Sequence, residues 1–289
     1  MKHNISLLSL LCVAACMTLA GCDKIEADEY GRHVIFSGAS GAWQDGPAVT
    51  DHATRVLLEK YTGVRCTNCP YADVVIATAK EKYGSSLIPV AIHDSSVFAK
   101  PYNGYPDLRT EDGNTWSKFF GIYSYPSALI NRTKQGDRIF ILNPTAQMNP
   151  TIDDALEATS PVALEVQAQL SDSGLSVTAN LEYLRQEDGA LTLTLLLMED
   201  SIVTKQSMPD ATTQEGYVQN HVLRDVITDV WGLDVDADGQ AGTRRTTTVT
   251  YRDMKAEWVP RSCHVVAFVS YKDSRVIANV AECGITGAL

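Results

Sequence analysis

Positive charge is in short supply in this chain, where 24 lysines and arginines stand against 35 aspartates and glutamates for a formal charge of −11. That balance argues against nucleic acid and anionic headgroups as partners, because both are bound through clustered basic residues. Cysteine is sparse too, with seven residues. Only one CxxC is followed by a helical pattern, at Cys66 and Cys69, and the next cysteine is Cys263. A zinc ribbon needs a second ligand pair, so zinc is not the expected role of this motif. No internal repeat is evident. The longest apolar run, Leu7 to Ala20, is short for a membrane span.

That run follows a basic start at Lys2 and leads into Leu19-Ala20-Gly21-Cys22, which has the form of a secretory signal ending in a lipobox. The expectation is cleavage after residue 21 and acylation of Cys22, which would tether the mature chain to a bacterial membrane outside the cytoplasm. Lys2 leaves with the signal, so the mature chain carries 23 basic residues against 35 acidic ones, about −12. Cys12 and Cys16 leave as well, and four thiols remain: Cys66, Cys69, Cys263 and Cys283. An even number in an oxidising compartment points to two bridges.

Cys66-Thr67-Asn68-Cys69-Pro70 lies between a short apolar run, Arg55 to Tyr61, and a stretch in which Ala72, Val75, Ile76, Ala79 and Tyr83 recur at helical spacing. A cysteine at a helix N-terminus feels the positive end of the macrodipole, and Arg65 adds a cation. Cys66 is therefore the expected attacking thiolate and Cys69 the resolving thiol. The predicted order continues with strand Leu87 to His93, a short helix at Trp116 to Gly121, strands Ala128 to Asn131 and Arg138 to Leu142, and a helix over Pro150 to Ala158 with Asn149 as N-cap. Asp23 to Asp51 is read as a tether with one added strand near His33 to Phe36.

This β-α-β-α-β-β-α order, with CxxC after the first strand, resembles the thioredoxin fold. Gly121-Ile122-Tyr123-Ser124-Tyr125-Pro126-Ser127 is similar to the segment that carries a cis-proline in that family, with Tyr125–Pro126 as the cis bond. The resemblance implies that this loop faces the disulfide and offers backbone groups to an extended substrate. It also implies a buried carboxylate under the second cysteine, a position Glu59 fills if one extra residue is allowed before Cys66. The chain departs from the pattern at Arg65, at the Thr-Asn dipeptide and at Pro70. The loop Asp94 to Asn114 is long and reads as a lid or docking surface.

After Thr159-Ser160-Pro161 the pattern alternates strictly, from Val162 to Leu170 and again from Leu175 to Tyr183, with further strands at Leu191 to Met198, Thr246 to Tyr251 and His264 to Tyr271. Such strands point to an all-β sandwich of immunoglobulin type. Cys263 and Cys283 sit at the outer ends of a hairpin around Lys272-Asp273-Ser274, where an odd-length turn would bring them into disulfide range; two buried free thiols are the alternative. Asp234 to Gly239 has the spacing of a calcium loop, but Arg245 occupies the position of the bidentate glutamate. His221 reads as a core histidine with no visible triad or metal partner.

The expected organisation is a signal (1–21), a lipidated tether (22–53), an α/β thioredoxin-like domain (54–159) and a β-sandwich (160–289). VLLEKYTGVRCTNCP and HVVAFVS, together with the lipobox, resemble the thioredoxin-like outer-membrane lipoproteins of Bacteroides-type bacteria. Two functions stand open. One is thiol–disulfide exchange on envelope proteins through Cys66 and Cys69, with Tyr125 and Pro126 at the substrate strand and no cofactor or metal. The other is a non-catalytic binding or structural lipoprotein in which the CxxC is a permanent staple.

Overall fold

In the computed structural model, which describes residues 35–37, 43–94 and 96–287, two short strands, β1 (Ile35–Ser37) and β2 (Gln44–Asp45), come first, and both pair antiparallel with residues 244–251. Cys22 and the signal lie outside the described residues. Part of the expected tether is packed rather than free: Trp43 and Val49 are buried, and the Trp43 indole donates to the Asp234 carbonyl at 2.7 Å.

Strand β3 (Val56–Thr62) is buried at every position because both its faces are covered. Helix α1 (Cys69–Tyr83) and strand β4 (Leu87–His93) follow, β4 running parallel to β3. Helix α2 (Glu111–Phe120) starts earlier than Trp116. The Thr110 hydroxyl accepts from the Gly113 N–H at 3.0 Å, and Glu111 and Asp112 complement the dipole in the first turn. Strand β5 (Ser127–Ile130) pairs antiparallel with β3. The expected strand Arg138 to Leu142 is reduced to a two-residue ribbon, β6 (Lys134–Gln135) with β7 (Arg138–Ile139), and a single bridge between Ala128 and Leu142. Helix α3 (Pro144–Glu157) begins before Asn149 and runs through Pro150. An interior proline costs about 3 kcal/mol; burial of Met148 and Ile152 on either side of it offsets that cost.

Period-two alternation divides β3 and β4 between two cores. Val56 and Leu58 face α1 and α3 with Ile76, Ala79 and Ile152. Leu57, Tyr61, Ile88, Val90 and Ile92 face the other way, toward Trp116 and Phe120 of α2.

The second half adds β8 (Val162–Ser171), β9 (Gly174–Tyr183), β10 (Leu191–Glu199), β11 (Ile202–Ser207), β12 (Thr213–Gln219), β13 (Val222–Val226), β14 (Leu233–Asp234), β15 (Arg244–Tyr251), β16 (Cys263–Tyr271) and β17 (Ile277–Gly287). Side chains of β8, β9 and β15 meet those of β10 and β16 in one buried cluster. The opposite face of β10 and β16, with Leu196, Met198, Val266 and Phe268, is buried in the α2 core, so the run LTLTLLLM is buried on both sides. Hydrogen bonding is continuous through the order β1-β15-β9-β8-β17-β16-β10-β13-β4-β3-β5. The joint between the halves is a parallel bridge of Val222 to Ala91, where the Ala91 N–H donates to the His221 carbonyl at 2.6 Å. The molecule is thus mostly β-sheet with few helices. No helix among the described residues is long and apolar enough to cross a membrane.

The Cys263–Cys283 disulfide is absent, and both thiols are free. The turn holds four residues, closed by the Tyr271 N–H on the Val276 carbonyl, and a register shift between Val269 and Ser270 adds one more step. Cys283 therefore stands opposite Val265 rather than Cys263. Burial pushes the Cys263 thiol up to about 12 and the Cys283 thiol up to about 11. In the acidic loop, Asp234 pairs with Lys272 and Asp236 with Arg245, while Asp238 accepts from the Thr243 hydroxyl, so the carboxylates diverge toward separate partners.

Candidate functional site around the Cys66–Cys69 turn

The end of β3 leads through Gly63, Val64 and Arg65 into a tight turn. The Cys66 N–H donates to the Gly63 carbonyl at 2.9 Å, and the Cys69 N–H to the Cys66 carbonyl at 3.2 Å. Cys66 and Cys69 form a disulfide with Cα atoms 5.4 Å apart, and α1 starts at Cys69 with Pro70 in its first turn. Gly63 is required where it stands, since a Cβ there would lie 2.5 Å from the backbone of Phe98.

Two segments cover this turn. From one side comes the loop after β4: the Arg65 N–H donates to the Phe98 carbonyl at 2.8 Å, and the Arg65 guanidinium lies 5.0 Å from the Tyr102 ring centre. From the other side comes the β11–β12 hairpin. Gln206, only 2 % exposed, donates to the carbonyls of Cys66 at 3.1 Å and Gly63 at 3.4 Å, and accepts from Gln219 at 2.8 Å. The Ser207 N–H adds a bond to the Val64 carbonyl at 2.9 Å. As a result Cys66 is 3 % and Cys69 1 % exposed. Cys66, the expected attacking thiolate, is thus as enclosed as the expected resolving thiol.

The Tyr125–Pro126 peptide is cis. Ser127 is opposite Tyr61, so the cis bond lies at the same end of β3 as the disulfide turn. The Tyr125 ring packs tilted against Phe98 with centres 5.5 Å apart, and its hydroxyl donates to Asp94, which also accepts from Ser117 at 2.5 Å. Burial, followed by that bond to Asp94, pushes the Tyr125 hydroxyl up to about 12.

Glu59 is not under Cys69. It is on the face of β3 turned away from α1, 1 % exposed, and accepts from the Arg132 guanidinium at 2.8 and 2.7 Å. Arg132 in turn lies among Trp116, Phe120 and Phe268. Alternation decides this, since Val56, Leu58 and Lys60 share the α1 face and Leu57, Glu59 and Tyr61 the other. The charged residue beneath α1 is therefore Lys60, 4 % exposed and ion-paired to Asp73 of α1, which also accepts from the Tyr217 hydroxyl at 2.8 Å. His93 ends β4 on that same face, 1 % exposed, and neither ring nitrogen has a hydrogen-bond partner among the described residues. Burial, with Lys60 and Arg224 adding to it, pushes its pKa down to about 3.

Sequence reasoning missed Lys60, Gln206 and Tyr217. Counting faces along β3 puts Lys60 opposite Glu59, and the packing of α1 selects the Lys60 face. No local signal points to the other two, which arrive from a hairpin more than 130 residues away.

Comparison with known proteins defines first the fold and then the family. The chain shares its fold with HBP35 of Porphyromonas gingivalis, at 18 % identity and a TM-score of 0.63, over 81 % of this chain and 76 % of that one. A domain of the outer membrane lipoprotein Omp28 from Porphyromonas gingivalis is similar at 17 % identity over 46 % of this chain and 93 % of that one, with a TM-score of 0.32. No curated protein matches significantly. Residues 113–286 match the family of outer membrane protein Omp28, and the chain belongs to that family. Its location is the outer membrane of the cell envelope, as expected from the sequence.

Proposed function

We propose that this Omp28-family envelope protein carries out thiol–disulfide exchange through Cys66 and Cys69, within a thioredoxin-like domain (54–159) joined edge to edge to an immunoglobulin-like β-sandwich (160–289). The observation that carries this reading is the placement of the disulfide in the first turn of α1, at the end of the sheet that also holds the cis Tyr125–Pro126 bond. The reduced Cys66 thiolate attacks a substrate disulfide, releasing one substrate thiolate. Cys69 then attacks the Cys66 sulfur of the mixed disulfide, releasing the second and leaving Cys66–Cys69 oxidised, a two-electron exchange. Tyr125 and Pro126 border the substrate strand, and Lys60 supplies the buried cation on the α1 face. The substrates are envelope proteins with thiols or disulfides, and acylation at Cys22 holds the chain at the membrane.

The second reading is a staple in a binding or structural lipoprotein. The burial of both cysteines favours it. Magnitude weighs against it, since closing a loop of four residues stabilises by only about 2 kcal/mol in the chain-entropy account, little for a dedicated staple. An equilibrium titration of the Cys66/Cys69 pair against glutathione or dithiothreitol separates the two. A potential between about −120 and −270 mV supports exchange, and one below about −300 mV supports the staple.

A further inference from the structure

At the end of the central sheet three side chains converge from three segments. Asp200 follows the last residue of β10, His221 precedes β13, and His264 is the second residue of β16, opposite Met198 of β10. One ligand atom from each lies within 4.8 Å of those of the other two. The Nδ1 atom of His221 is 3.4 Å from one Asp200 oxygen and that of His264 is 3.5 Å from the other. These separations are too long for charge-assisted hydrogen bonds, which run about 2.7–2.9 Å. Two ligands at about 2.0 Å from a zinc ion stand about 3.3 Å apart, so each imidazole stands at ligand-edge distance from one of the two Asp200 oxygens.

The backbone holds this arrangement in place. His221 has φ of 57°, and its N–H donates to Asp200 Oδ1 at 2.6 Å, fixing the carboxylate. The Asp200 N–H donates to the Ser262 carbonyl at 2.9 Å, tying the Asp200 turn to the start of β16. The two rings are nearly perpendicular, with centres 6.4 Å apart, so neither stacks over the other's nitrogens. A cleft of about 590 Å³ opens beside the cluster, leaving room for a fourth ligand from solvent, and Cys263 and Cys283 are on its wall.

We infer that Asp200, His221 and His264 form a binding site for a borderline divalent cation of the Zn²⁺ class. Two imidazoles and one carboxylate suit such ions, whereas the hard ions Ca²⁺ and Mg²⁺ take oxygen ligands. The site is independent of the exchange chemistry proposed above.

The test is calorimetric titration of the mature chain with Zn²⁺, kept oxidised at Cys66–Cys69, paired with the visible spectrum of the Co²⁺ form. The expected result is one ion per chain and tetrahedral d–d bands without sulfur-to-cobalt charge transfer. His264→Gln and Asp200→Asn should each weaken binding more than about 100-fold, because even the loss of a supporting outer hydrogen bond costs about 10–100-fold. Asp200→Asn keeps an acceptor for the His221 N–H, and circular dichroism checks both folds. The Cys263→Ser/Cys283→Ser double variant should bind as the wild type does. Absence of saturable binding, affinity unchanged in folded His264→Gln, or binding lost with the two thiols would each overturn the assignment.

Discussion

His93 allows a quantitative prediction about the interface between the sheet and α1. The unfolded chain titrates this imidazole near 6.5, and the folded chain holds it down to about 3, first through burial and then through the charges of Lys60 and Arg224, with Asp107 acting in the opposite direction. Because the folded pKa is depressed, the stability is fully present above about pH 6.5 and is lost as pH falls toward 3, where the unfolded state takes up a proton that the native state refuses. Proton linkage with these values gives a loss of about 2 kcal/mol between pH 7.5 and 5, and about 3 kcal/mol by pH 4. His93→Leu removes the titrating group at nearly constant volume. At pH 7.5 it also removes two buried nitrogens without partners, so it should cost little there. Urea unfolding of both proteins at pH 7.5, 6 and 5, with the disulfide intact, isolates the effect, since every other group titrates in both and cancels in the difference. The variant should gain on the wild type by about 2 kcal/mol between pH 7.5 and 5. Parallel pH profiles, or an NMR titration placing the wild-type imidazole near 6.5, would refute the reasoning.

Three further outcomes are expected. Cys69→Ala should accumulate reductant-sensitive adducts with envelope proteins on non-reducing gels while Cys66→Ala does not, and an unreactive Cys66 toward alkylation across about pH 5 to 9 would remove it as the nucleophile. Glu59→Gln should destabilise by about 3–5 kcal/mol, because it leaves the Arg132 charge buried and unpaired, whereas replacing Glu59 and Arg132 together with apolar residues should cost far less; thermal or chemical unfolding decides this, and equal losses would contradict it. Cys22→Ser should release the protein from the membrane fraction, and wild-type chain that never incorporates labelled fatty acid would end the lipoprotein reading.

The chemistry of this protein was legible wherever it depended on neighbours in the chain. The CxxC between an apolar run and a 3.6-period stretch located the start of α1, and strict alternation marked β8 and β9, whereas the cis Tyr125–Pro126 bond was expected from the family resemblance. These readings hold because helix and strand periods are written in residues only a few positions apart. The tertiary structure decided what local pattern leaves open. Glu59 and Lys60 are adjacent in sequence, and only the position of α1 determines which of them lies beneath it. Cys263 and Cys283 are on a correctly foreseen hairpin, yet one extra turn residue and one register shift moved them past each other. The cover over Cys66 and the meeting of Asp200, His221 and His264 depend on contacts between distant segments, with no local period to announce them. Packing, unlike periodicity, is settled only when every face has found its partner.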